Sequence, residues 1–163
     1  GENAMSTTAL VGMGVGIFFV QYSLLPFVWP GAYPPDLWLV VTVLVTLFYG
    51  GRSGLWLALV AGLAADIAGT NFFGIHLASY LAVVLATSPV EGRLQRRWNI
   101  SVMWTFLVSL LAGAVTFAVL RFSGADPAWG GYFAAAELPR ATINAGTALL
   151  LHWWLRPSRE KGR

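Results

Sequence analysis

The residues able to do chemistry are few, and they sit in apolar surroundings. Asp66 lies inside the helical run of the stretch Gly62 to Tyr80, GLAADIAGTNFFGIHLASY, with His76 ten residues on, past a Gly-containing turn. A carboxylate beside an imidazole can hold a proton, an ion or a hydrogen-bonded turn. Asp36 opens another apolar run, where a carboxylate accepts backbone N–H groups as an N-cap. Arg140, with Glu137 and Arg121, supplies charge in the last third of the chain. Ser53 in GRSG and His152 form the minimum nucleophile–base pair for hydrolysis. No HExxH, P-loop or GxGxxG occurs. Two isolated histidines without cysteine argue against a structural metal site, and no cofactor is expected.

The composition says what surrounds these groups. Hydrophobic residues make up 57% of the 163 residues, charged residues 10%, and the mean hydropathy is +0.67. A soluble domain carries about 25% charged residues. An isolated charge at the middle of a membrane helix costs at least ~2.5 kcal/mol. The acids and His76 are therefore expected to face a protein interior. Cysteine is absent, so disulfides and thiolate metal sites are excluded. The formal charge of +3 is modest, and nothing in it points to nucleic acid.

Six apolar runs can be followed along the chain. Gly1 to Ala4 is read as a tag remnant ahead of a natural start at Met5. Residues 5–156 are read as one six-helix membrane domain and 157–163 as a basic cytoplasmic tail. The first run, about Thr8 to Trp29, is read as a retained membrane helix. Its Gly12 and Gly16 form a GxxxG pair that would let another helix approach closely. Pro26 and Pro30 mark its end. The second run, Leu37 to Tyr49, covers only ~20 Å. After a GGRSG turn the third run reaches about Gly69. Ala58, Ala61, Gly62, Ala65 and Gly69 give it a nearly bare side, so it is expected to be the most tightly packed helix. The fourth run is Gly74 to Val90 and the fifth Ile100 to Phe122. The sixth begins near Tyr132, or at Pro139, and ends at Leu155.

Charge placement sets the expected topology. With the N-terminus inside, the inner segments hold Arg52, Arg93, Arg96, Arg97, Arg156, Arg159, Lys161 and Arg163, eight of the ten basic residues. This is a positive-inside pattern for six transmembrane helices with both termini cytoplasmic. Trp29, Trp38 and Trp129 are expected at the outer boundary. Trp56, Trp98, Trp104, Trp153 and Trp154 are expected at the inner one, and His152 beside them is read as interfacial. A re-entrant hairpin for runs two and three is the competing reading. Counting helical rise puts Asp36, Asp66, His76 and Arg140 at one outer depth, with Glu137, Arg121 and Asn144 close by. Charges at one depth in a small bundle should pair. The cluster can be structural, can hold a solute or ion, or can meet a partner.

The ordered set Pro35-Asp36-Leu37, an Arg/Gly turn, then Gly62, Asp66, Gly69, Gly74, His76 and Tyr80 resembles the family of MreD, the bacterial rod shape-determining membrane protein. The resemblance covers about Pro34 to Gln95, with the outer thirds matching in hydropathy. It implies a non-enzymatic scaffold of the cell-elongation machinery in the bacterial inner membrane. The implied partner is MreC. The peptidoglycan transpeptidase and glycosyltransferase pair and MreB filaments would be engaged directly or through it. The resemblance also implies an architecture similar to the six-helix substrate-binding components of vitamin-uptake transporters, which suggests a fold and not by itself transport. A solute-binding transporter component, which would need a closed polar cavity at the level of Asp36, Asp66 and His76, is the alternative. Docking of a partner helix on the Gly/Ala faces predicts loss of co-purification on Gly12→Leu or Ala61→Leu. The basic inner segments could also hold anionic lipid. Gly51-Arg52-Ser53-Gly54 matches the GxSG of rhomboid proteases. Its place in a turn beside Arg52, rather than within a cavity, speaks against hydrolysis.

Overall fold

The computed structural model describes residues 5–69, 72–93, 97–125 and 128–157; the expected tag remnant, Arg96 and the tail beyond Pro157 lie outside these. The described residues form six helical segments and no strand. They are α1 (Thr7–Val28), α2 (Leu37–Tyr49), α3 (Gly51–Ala68), α4 (Ile75–Thr87, continued by a 3-10 turn Ser88–Val90), α5 (Trp98–Phe122) and α6 (Trp129–Tyr132, Phe133–Glu137 and Leu138–Leu155). Segments α1, α3 and α5 are long and apolar enough to cross a membrane, whereas α2 and α4 are shorter apolar helices.

Short α2 is the centre of the bundle. Every residue from Trp38 to Phe48 is buried, and α3, α4, α5 and α6 pack around it. A helix that is apolar on all sides is stable only when surrounded. Of its two threonines, Thr42 has a buried hydroxyl with no hydrogen-bond partner among the described residues, whereas Thr46 satisfies its hydroxyl by donating Oγ1 to the Thr42 carbonyl at 2.7 Å. The same i−4 bond satisfies Ser79, Thr87 and Thr105. Trp38 is 2% exposed and belongs to this core. It is not the boundary residue expected of it, because the first turn of α2 is already enclosed. His152 is likewise fully buried, its ring 5.2 Å from Phe48 and 5.4 Å from Trp153. The expected interfacial position is corrected: α6 turns that side toward α2, while Trp153 and Trp154 remain exposed.

Helices α3 and α4 approach backbone to backbone. A Cβ on Gly62 would stand 2.5 Å from the Leu77 Cα. Ala58 and Ala61 are fully buried, and Ala65 nearly so. Gly69, past the helix end, is exposed. The small side of α3 is thus consumed inside the bundle. The turn before α3 is tighter than expected. Gly50, at φ +91°, is the one residue between the two helices, and α3 starts at Gly51. Gly54 lies within the helix, where a Cβ would come 2.9 Å from the Thr46 Cβ.

Two π-helical turns precede prolines. Leu25 N–H reaches back five residues to Val20, just before Pro26, and Leu138 N–H to Phe133, just before Pro139. Proline removes a donor and crowds the carbonyl four residues back, and the wider turn relieves that crowding. Pro26 therefore does not end α1, which runs on to Val28.

Candidate functional site

The chemistry-bearing residues collect at the end of the bundle where α1 leads into α2, α3 into α4 and α5 into α6. Asp66 is built into the α3–α4 turn. Its carboxylate accepts the N–H groups of Gly74 at 2.9 Å, His76 at 3.0 Å and Leu77 at 3.2 Å. It also meets His76 Nδ1 at 2.9 Å. These N–H groups open α4 and lack partners within it, so α3 caps its successor. Gly74, at φ +101°, lets the chain turn tightly enough to present them.

Asp36 does a parallel task for α2, with more partners. Its Oδ1 accepts the Leu39 N–H at 3.0 Å. The Tyr80 hydroxyl of α4 donates to both its oxygens, at 3.0 and 2.9 Å. The Asp36 N–H donates to Asn144 Oδ1 of α6 at 2.8 Å, and Asn144 Nδ2 donates to Ser109 Oγ of α5 at 3.2 Å. The Leu37 N–H donates to Gln21 Oε1 of α1 at 2.8 Å. The first turn of α2 is thereby tied to α1, α4, α5 and α6. Burial pushes the Asp36 carboxyl above its usual range, and the Leu39 N–H and Tyr80 hydroxyl pull it back.

Arg140 is held by Glu137, three residues earlier on α6, at 2.9 Å. It is not bonded to Asp36 or Asp66, so the charged groups at this end of the bundle pair in separate units. The reason is distance along one helix: an i, i+3 partner reaches the guanidinium first. Glu137 is 1% exposed. It fits because Gly113 of α5 leaves the space; a Cβ there would stand 2.6 Å from the Glu137 Cδ. The Arg140 guanidinium also lies 6.0 Å from the Tyr33 ring centre. Arg121 is exposed at the last turn of α5.

These units surround a cavity of about 620 Å³, lined by Asp36, His76, Tyr80, Glu137, Arg140 and Asn144 among others. Asp66 stands behind its wall, at Ala65 and Gly69. Among the described residues, no three His, Asp or Glu side chains are grouped to hold a metal. Gln21, Tyr80 and Gly113 matter more here than their sequence suggested. Of these, only Tyr80 carried a prior signal, as the last member of the ordered set.

Two further hollows are apolar and flank α1. One, of about 640 Å³, lies between α1 and α3, with Gly14, Phe18, Trp56 and Val60 on its walls. The other, of about 730 Å³, lies between α1 and α6 and is lined by Gly12, Gly16, Val41, Leu151 and Trp154. Within α1 only Gly14, Ile17 and Leu25 are buried. Gly12 and Gly16 are exposed, and a Cβ on either would meet nothing within 4 Å. The GxxxG pair therefore does not pack against a helix of this chain; Gly14 between them is the buried glycine, and a Cβ on it would also meet nothing within 4 Å.

Comparison with known proteins adds one match. No curated protein and no solved structure matches the chain. The family model described as rod shape-determining protein MreD matches residues 7–157, nearly the full length. It spans all six helices, the capped turns at Asp36 and Asp66, and the three apolar segments of membrane-crossing length. The chain belongs to the MreD family of rod shape-determining membrane proteins.

Proposed function

We propose that this protein is a non-enzymatic scaffold of the cell-elongation machinery that seats the transmembrane helix of MreC against α1. The carrying observation is the groove between α1 and α6, where Gly12 and Gly16 present open backbone. Helix association in lipid depends on close packing, because lipid tails are as apolar as the side chains they replace. Six spans in the bacterial inner membrane, with both termini cytoplasmic, agree with the placement of the basic residues. That orientation puts the Asp36 cavity on the periplasmic side. The peptidoglycan synthase pair and MreB filaments then connect through MreC or by direct contact.

Docking is tested by co-purifying MreC with single variants. Gly16→Leu and Gly12→Leu project into the groove from positions where a Cβ meets nothing within 4 Å. Either is expected to reduce recovered MreC at least several-fold, with thermal stability unchanged. Ala61→Leu is a probe of folding instead, since Ala61 is fully buried. Undiminished co-purification with both glycine variants would sink the proposal. The second reading, a solute-binding transporter component, draws support from the cavity of about 620 Å³. It requires a small molecule retained through purification and detectable by mass spectrometry.

A further inference from the structure

The polar cavity has an unbalanced charge inventory. Arg140 is bound to Glu137 and His76 to Asp66, each at 2.9 Å. The Arg140 cation on the wall is thus already matched by a carboxylate, and His76 is hydrogen-bonded to another. Asp36 is different. Its oxygens meet a phenol and a backbone N–H, and no basic side chain is bonded to it. A carboxylate on the wall of a hollow, with no basic side chain bonded to it, favours a positively charged occupant. The walls suit one of a particular kind. Tyr22, Trp38 and Tyr80 line the same hollow, and aromatic faces attract ammonium groups. A volume of about 620 Å³ matches small organic ligands. His76 and Arg140 leave 32% and 40% of their side chains exposed, so the hollow can be entered at their level.

Other occupants fit less well. An anion would find a single guanidinium, Arg140, that already carries Glu137. A divalent ion would find, among the described residues, no group of three His, Asp or Glu ligands. A neutral solute would strip water from Asp36 without replacing its charge. We infer that this cavity binds an organic ammonium group, with Asp36 as the counter-ion and Tyr22, Trp38 and Tyr80 as the aromatic wall. The ammonium can belong to a free solute or to the lysine side chain of a peptide.

The experiment uses the full chain in lipid nanodiscs and calorimetric titration. Cadaverine is compared with 1,5-pentanediol and glutarate, which share its length but carry no charge or negative charge. N-acetyl-lysine methylamide is compared with the norleucine analogue. Saturable binding is expected for the amines and none for the diol, glutarate or norleucine probe. Asp36→Asn, which retains a capping side chain, should weaken binding by about tenfold or more. Tyr22→Leu should weaken it several-fold, and it decides the matter if Asp36→Asn does not fold. Tighter binding of cadaverine marks a free solute, and tighter binding of the lysine probe marks a peptide. Absence of saturable amine binding, preference for glutarate, or unchanged affinity in the deciding variant overturns the inference. Co-purification of MreC reads a different surface, so failure of docking and failure of amine binding are separable.

Discussion

Helices α1 and α2 are neighbours in sequence and both strongly apolar, yet they end in opposite places. Both are apolar around their whole circumference. Thirteen-residue α2 is enclosed from Trp38 to Phe48. The 22-residue α1 buries three residues and leaves Val11, Val15, Phe19 and Phe27 between 61% and 89% exposed. The difference lies in what their ends are tied to. The start of α2 is bonded to three other helices and through Asn144 to a fourth, whereas α1 holds the bundle through Gln21 and a few apolar contacts. Hydrophobicity therefore says that a helix avoids water, and polar end contacts decide whether protein or lipid replaces it.

The contrast can be tested by degrees. Leu44→Ala at the fully buried middle of α2 should have the largest effect, about 2 kcal/mol in a reversible unfolding assay in bilayer or detergent. That is the low end of the ~2–5 kcal/mol seen in water-soluble cores, because lipid lacks the transfer contribution and leaves lost packing. Asp36→Ala should follow, at roughly 1–2 kcal/mol, by removing a cap and leaving the Tyr80 hydroxyl without its acceptor. Asp36→Asn should recover more than half of that loss. Val15→Ala on α1 should stay within about 0.5 kcal/mol of the parent. A Val15→Ala cost equal to that of Leu44→Ala would erase the distinction between the two helices.

Much of this arrangement could be read before any coordinates, and the misreadings share a cause. Six apolar runs, the Asp36 cap and the bare side of α3 follow from spacing and residue type. The assignment of α2 to the centre does not, because an all-apolar helix carries no periodicity to say which side faces what. Trp38 and His152 were read as boundary residues for that reason: both are buried, and the direction in which they point was not readable. Arg140 is another matter. Glu137 stands three residues before it, a spacing that marks an ion pair on one helix face, so the signal was present. The space that Gly113 leaves for Glu137 joins two helices and had no local signature.

The brevity of α2 shapes more than the core. At thirteen residues it spans ~20 Å, while the 25 residues of α5 span ~37 Å. The hollow gathers around the point where this short helix begins, with Pro35, Asp36 and Leu39 on its wall. One added turn of leucine and alanine ahead of Leu37 would carry Asp36 about 5 Å along the helix axis. The carboxylate would then leave Tyr80 and Asn144 behind, and the hollow is expected to lose this acid while keeping its other walls.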